Sequence, residues 1–290
     1  MNGILKMKRV RKVILLTGAK GQLGTEICKL LDERKIEYVA TDVDEMDITK
    51  PEHVKEIFDK VKPSVVFHCA AYTAVDKAEA EGKELNYMIN VEGTKNIAKA
   101  TEKVDAKLIY ISTDYVFDGT KKDGEYSPDD ETNPQNEYGR SKLLGEEAVM
   151  AICSQYYIIR TSWVFGNYGH NFVFTMQQLA KNHPRLTIVN DQFGRPTWTR
   201  TLAEFMMHLI KNNPNYGIYH LSNDNSCTWY DFAKEILKEE SIEILPVTSA
   251  EFPQKAKRPQ YSVMNLEKAK KTGFKIPTWQ DALKLMLDEG

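Results

Sequence analysis

Tyr138 and Lys142 stand at i and i+4 in Tyr138-Gly139-Arg140-Ser141-Lys142. On a helix that spacing puts both side chains on one face. A free tyrosine titrates at about 10 and is a poor acid at neutral pH unless a cation lowers it. A lysine one turn away supplies that cation. The pair therefore suits protonation of a carbonyl oxygen while hydride arrives at its carbon. The spacing alone is weak, since surface helices carry it by chance. It gains weight beside Ser112-Thr113, which closes an apolar stretch. Thr113 either donates a hydrogen bond to the same oxygen or caps a strand end.

Hydride needs a carrier, and Gly18-Ala19-Lys20-Gly21-Gln22-Leu23-Gly24 is a GxxGxxG loop. In such loops one glycine makes the tight turn, another lets the backbone approach a pyrophosphate, and a third packs helix on strand. The following helix offers free N–H groups and a positive dipole end to phosphate. Three glycines can also simply make a turn. The flanking pattern, a strand over 12–17 and a helix over 22–34, is the context the cofactor reading requires. Asp42 follows the next strand, 18 residues after Gly24. An acid at that distance accepts from an adenosine ribose, and otherwise it is an ordinary strand-end turn residue. Asp47-Ile48 closes the next segment, where an adenine edge would lie.

Around these residues, apolar strands alternate with amphipathic helices. Strands are predicted at 12–17, 38–41, 65–68, 107–112, 156–161, 187–190 and 217–221. Helices are predicted at 22–34, 85–104, 138–154, 172–182 and 201–212. Thr49-x-x-Glu52, with Pro51 in the first turn, predicts a capped helix to about residue 62. Thr228-x-x-Asp231 and Thr278-x-x-Asp281 read as two further capping boxes. Residues 118–137, rich in Asp, Gly, Pro and Asn, form a long loop of the kind that is usually functional or disordered. Continuous apolar strands between helices imply a parallel sheet covered on both faces. The expected fold is α/β, a Rossmann-type doubly wound parallel sheet with a smaller C-terminal substrate lobe. Residues 1–160 would bind the dinucleotide, with about 187–222 returning to that domain. Residues 161–186 and 223–290 would form the substrate lobe.

Composition narrows the function. Hydrophobic residues at 42% and charged residues at 28% of the 290 support a sizeable core, which excludes a disordered chain. A net charge of -2 leaves no basic footprint for nucleic acid. Cys28, Cys69, Cys153 and Cys227 form no CxxC pair, which argues against a disulfide framework or thiolate zinc site and for a cytoplasmic setting. The histidines show no HExxH spacing, and His68, ending an apolar strand, fits a core position better than a ligand. The basic residues of the first dozen read as a solvated tail. The apolar run after them is too short for a signal peptide, and no run is long enough to span a bilayer.

In this order the motifs resemble the extended short-chain dehydrogenase/reductase family over nearly the whole chain. The likeness rests on Gly18–Gly24, Asp42, Asp47-Ile48, Asn90-Val91-x-Gly93-Thr94, Ser112–Phe117 and the Tyr138/Lys142 pair. It implies a catalytic set of Thr113, Tyr138 and Lys142. It also implies a nicotinamide side lined by Ala70, Ala71 and Tyr72, and a supporting helix asparagine, Asn90. Cofactor contacts would come from Gly18, Lys20, Gly21, Gln22, Leu23, Gly24, Asp42, Asp47, Ile48, Tyr138 and Lys142, and the cofactor would be NADPH or NADH.

Longer strings narrow the likeness to members that reduce the 4-keto group of a nucleotide-linked sugar for bacterial surface polysaccharide. They are Ala70–Glu79, Arg160–Phe165, Asn171-Phe172, Asn190–Gly194 and Arg258-Pro259. Thr73, Val75, Thr113, Trp163, Asn171, Arg195 and Arg258 are then the expected substrate residues. Trp163 either stacks on a ligand or fills the lobe interface. Arg195 and Arg258 lie in Pro-containing loops, where a guanidinium suits a diphosphate. Some members dimerise through magnesium held by acidic side chains. Glu26 and Glu289 fall at such positions, but Arg200 stands where a third acid would, and a guanidinium supplies no oxygen ligand. Magnesium is therefore doubtful, and the chain is expected as a monomer or homodimer, away from membranes. Two alternatives share the motifs: a nucleotide-sugar epimerase that keeps its cofactor, and a non-catalytic regulatory chain of the methionine adenosyltransferase type.

Overall fold

The structure, a computed structural model, describes residues 13–289. The basic tail and Lys12 of the first predicted strand lie outside the described residues. The elements in chain order begin with β1 (Ile14–Thr17), α1 (Gln22–Glu33), β2 (Tyr38–Thr41), α2 (Pro51–Val61) and β3 (Val65–His68). Short helices α3 (Val75–Ala78) and α4 (Lys83–Tyr87) lead through a π-helical segment (Met88–Gly93) into α5 (Thr94–Lys103). Then come β4 (Lys107–Thr113), α6 (Glu137–Ile152), β5 (Tyr156–Thr161), β6 (Val164–Phe165), α7 (Phe172–Asn182) and β7 (Arg185–Val189). The chain continues with β8 (Phe193–Gly194), β9 (Thr197–Trp198), α8 (Thr199–Asn212) and β10 (Gly217–His220). It closes with β11 (Cys227–Thr228), α9 (Trp229–Ile236), β12 (Glu243–Val247), α10 (Glu267–Lys270) and α11 (Trp279–Glu289).

The central sheet is parallel, in the order β10-β5-β4-β3-β1-β2. Its strands are short β-branched and apolar runs, and β1 and β3 are buried along their whole length. That pattern follows from helices on both faces. One layer packs Ile27 and Leu30 of α1 and Phe205 of α8 on the sheet. The other packs Phe58 of α2, Ile97 of α5 and Val149 of α6. A separate core of Phe165, Val173, Phe232 and Trp279 holds the C-terminal elements. Strand order reverses between β1 and β3, and such switch points leave a crevice at the carboxyl ends of the strands.

Several local expectations change. Thr49 is not a helix cap: its N–H and hydroxyl both donate to Asp47 Oδ1, and Lys50 takes the cap position of α2. The nearer aspartate turn outcompetes the capping box. The predicted helix over 85–104 forms as a continuous helical run from 83 to 103, with the π segment in its middle. Of 187–222, α8 and β10 return to the central layers, whereas β7 pairs with β12 in a separate two-stranded sheet. The 118–137 loop is anchored by a Tyr126–Met264 bridge and by Phe117 stacked on Tyr126 at 4.3 Å. The capping box at Thr228 forms in full. At Thr278, the hydroxyl accepts from Asp281 N–H and donates to its carboxylate.

Candidate active site

The carboxyl ends of β1 and β3 are brought almost into contact. Gly18 sits at φ +70°, and a Cβ there would lie 2.6 Å from the Ala70 nitrogen. Only glycine suits that conformation and that approach. The loop then turns into the N-terminus of α1, whose free amides face the crevice.

A cavity of about 460 Å³ opens on one side of this junction, lined by Gly18, Lys20, Gly21, Asp42, Asp47, Ile48, Ala70 and Ala71. Asp42 is held in place, its Oδ2 accepting from Lys20 N–H at 2.9 Å. The Lys20 ammonium is already engaged by Asp44 at 2.7 Å and Glu45 at 3.6 Å. The cavity thus has an acidic rim at its far end and peptide N–H groups at the loop.

On the other side a cavity of about 390 Å³ shares Gly18 and Gly21 and continues past Gln22, Leu23 and Gly24. Thr73, Val75, Thr113, Tyr138, Lys142, Trp163 and Arg258 line it. Thr113 ends β4. Tyr138 and Lys142 occupy the first turns of α6, started by Asn136, whose Oδ1 accepts from Gly139 N–H at 2.7 Å. A Cβ on Gly139 would collide with the Tyr115 carbonyl, so this glycine lets α6 settle against the end of β4. The Tyr138 ring meets Tyr115 edge-on at 5.8 Å.

Electrostatics here differ from the sequence expectation. Burial pushes the Tyr138 hydroxyl well above its ordinary value, the Asp114 carboxylate adds to the rise, and a Thr113 hydrogen bond opposes it. Burial also pulls the Lys142 ammonium down to about 7, against the opposing pull of Glu146. In this structure Lys142 does not bring Tyr138 down toward the neutral range. Burial dominates at both groups, and Tyr138 stays protonated, the form a proton donor needs.

Asp114 is a site residue that sequence reasoning passed over. It lines the cleft, it is 2% exposed, and its Oδ1 accepts from the Thr113 hydroxyl at 3.1 Å. Burial lifts its carboxyl to about 6. Asn86 and Ser141 were missed as well. Asn90 donates to Asn86 Oδ1 at 2.9 Å and to Ser141 Oγ at 3.1 Å, and Ser141 donates to Asn86 Oδ1 at 2.9 Å. The signal was present: Asn86 and Asn90 are one turn apart, and Ser141 lies inside the Tyr138–Lys142 turn.

Three expected substrate residues need correction or refinement. Asn171 is outside the cleft lining. It caps α7, accepting from Phe174 N–H at 3.3 Å and donating to Gly166 O at 2.8 Å, so both ends of its amide are used. Arg195 is also outside the lining. It is buried, donates to Met264 O at 3.0 Å and pairs with Glu125, tying the long loop to the C-terminal elements. Trp163 lies flat on Trp229 at 3.7 Å, so it fills the junction and presents its remaining surface to the cleft. Tyr72 is absent from both linings, but its backbone is fixed by Asn90. Arg258 is in place. It bonds Asp76 at 3.1 Å and separates the cleft from a further cavity of about 480 Å³ flanked by Lys255 and Lys257.

Among the described residues no group of three His, Cys, Asp or Glu side chains is arranged to hold a metal. Glu26 and Glu33 both pair with Arg200, at 3.4 and 2.6 Å, and Glu289 pairs with Lys29 at 3.4 Å. Among the same residues no helix is long and apolar enough to cross a membrane.

Residues 11–290 match the RmlD substrate binding domain family. The chain is 41% identical over 280 residues to the Bacillus subtilis spore coat polysaccharide biosynthesis protein SpsK, covering 95% of this chain and 97% of that one. It is 40% identical over 286 residues to dTDP-4-dehydrorhamnose reductase of Aggregatibacter actinomycetemcomitans, covering 93% and 97%. Among solved structures, dTDP-4-dehydrorhamnose reductase of Bacillus anthracis in complex with NADP superposes with a TM-score of 0.93 at 38% identity, covering 97% and 100%.

Proposed function

The chain belongs to the RmlD substrate binding domain family, and on that premise we propose its reaction and the residues that carry it. It is an NAD(P)H-dependent oxidoreductase of dTDP-rhamnose synthesis. The reaction is reduction of the 4-keto group of dTDP-4-dehydro-L-rhamnose to dTDP-L-rhamnose, a precursor of surface polysaccharide. The observation that carries the assignment is the shared wall: the glycine loop, Thr113, Tyr138 and Lys142 all face one cleft.

Bound reduced dinucleotide supplies the hydride. The chain's own residues do the rest. Tyr138 donates its proton to the oxygen that gains charge at C4, and burial keeps it protonated until then. Thr113 donates a hydrogen bond to the same oxygen and orients it. Lys142 stabilises the tyrosinate left behind and binds the nicotinamide ribose. Asp114 Oδ1, which accepts the Thr113 hydroxyl proton in this structure, releases it when Thr113 turns to donate to the sugar oxygen. Arg258, with Lys255 and Lys257 nearby, faces the diphosphate.

We assign residues 13–160 with α8 and β10 to the dinucleotide lobe, and the remaining C-terminal elements to the sugar-nucleotide lobe. The enzyme works in the cytoplasm, where reduced dinucleotide is kept, as a monomer or homodimer. The test is turnover of dTDP-4-dehydro-L-rhamnose, followed as loss of reduced nicotinamide absorbance at about 340 nm. Stoichiometric oxidation of cofactor with formation of dTDP-L-rhamnose is expected. Tight cofactor binding with no reduction would overturn the assignment in favour of a regulatory chain.

A further inference from the structure

Lys142 is 2% exposed, so its ammonium needs a compensating partner. Glu146, one turn further along α6, is already held by Arg160 at 2.7 Å and by the Ser112 hydroxyl. The group directly beneath the ammonium is a ring: Lys142 Nζ lies 4.1 Å from the centroid of Tyr110. Tyr110 and Ser112 alternate on β4 with Ile111 between them, so both face α6.

The ring is built in. Thr17, His68 and Tyr110 are register partners across β1, β3 and β4. His68 stacks on Tyr110 at 5.5 Å, with Nδ1 2.8 Å from Thr17 Oγ1 and Nε2 3.2 Å from Thr94 Oγ1. From the helix side, a Cβ at Gly145 would strike the Tyr110 hydroxyl, so glycine lets α6 bring Lys142 down onto the ring.

We infer that Tyr110 is a positioning residue for the reduction: the negative face of its ring holds the Lys142 ammonium in place and favours its charged form. Aromatic faces attract cations, most strongly where water is excluded. The other groups facing Lys142 leave this role open. Burial keeps His68 of β3 and the Cys69 thiol beyond it neutral, and Tyr138 of α6 is protonated. Glu146 of α6 acts on Lys142 while shared with Arg160. The inference rests on the proposed role of Lys142, but its test does not need turnover.

The experiment is a ¹³Cε NMR titration of Lys142 in the full chain, assigned by the signal missing from Lys142→Met. Tyr110→Phe keeps the ring, and its Lys142 is expected to titrate as in the unmodified protein. Tyr110→Met keeps bulk without an aromatic face, and the Lys142 pKa is expected to fall by about one unit, or about 1.4 kcal/mol. NADH affinity at about pH 8, above the ordinary histidine range, should fall by about tenfold in the Met variant alone. A folded Tyr110→Met protein whose Lys142 titrates normally would overturn the inference. Should that variant not fold, pentafluorophenylalanine at position 110 keeps the ring's shape and reverses its charge distribution. An unchanged Lys142 titration there would overturn it equally. Failure of the unmodified protein to reduce the sugar would count against the proposed function, whereas the titration alone decides the role of Tyr110.

Discussion

Asn90 clamps the backbone of Tyr72 from both sides. Its Oδ1 accepts from Tyr72 N–H at 2.9 Å and its Nδ2 donates to Tyr72 O at 3.1 Å, across a separation of 18 residues. The π segment carries Asn90 to this position, and such single-turn bulges are frequent at functional sites. The clamp sets the path of the segment after β3, where Ala70 and Ala71 approach the glycine loop.

Asn90→Ala removes both bonds, leaving the Tyr72 N–H and C=O without this partner, and deletes the Asn90 bonds to Asn86 and Ser141, which keep each other. Each buried polar group left unsatisfied costs about 1–3 kcal/mol. The variant should unfold at lower urea and show a raised KM for the dinucleotide, with a smaller loss in kcat. Normal stability and normal dinucleotide affinity would show that the clamp is dispensable.

Tyr138→Phe deletes one oxygen at the cleft wall and should leave folding and dinucleotide affinity intact. Positioned acid–base groups contribute about 10²–10⁴-fold. Turnover at saturating sugar should fall by at least the lower figure. Near-normal turnover would mean that the proton comes from another group.

Lys142→Met should separate stability from activity. With its pKa pulled down to about 7, the buried amine binds protons less readily folded than unfolded. The resulting destabilisation is full below that value and vanishes above the unfolded value of about 10.5. Removing the amine should therefore raise stability near neutral pH by an amount on the order of a few kcal/mol. The same change should weaken dinucleotide binding and turnover. In the unmodified protein, dinucleotide affinity should decline as pH rises through about 7, as Lys142 loses its charge. Chemical denaturation and cofactor titration at several pH values check both signs.

Asp42 disfavours a 2′-phosphate by charge, and Lys20 only partly offsets it because Asp44 and Glu45 already engage the ammonium. Both NADH and NADPH should serve, with discrimination below about a hundredfold, or roughly 2.7 kcal/mol. Asp42→Ala should move the ratio of kcat/KM values toward NADPH. An NADPH preference above that bound in the unmodified chain would contradict this role for Asp42.

Much of the molecule was legible along the chain because its determinants are local. Apolar runs of four to seven residues announced β1, β3 and β4, and the glycine spacing announced the turn into α1. The i, i+4 interval put Tyr138 and Lys142 on one face before any fold was considered, and Thr228 with Asp231 announced α9. What the sequence left open depends on contacts between distant segments. Asn171 and Arg195 have the polarity of ligand residues, but Asn171 is used up by Gly166 and Phe174, and Arg195 by Glu125, 70 residues away. The sequence showed a cation beside a tyrosine and predicted an acidic tyrosine. Tertiary burial reversed that sign, because taking each group out of water disfavours its charged form. The ring beneath Lys142 is likewise invisible in one dimension. Tyr110 meets that lysine only because the register of β3 and β4 and the closeness of α6 at Gly145 bring them together.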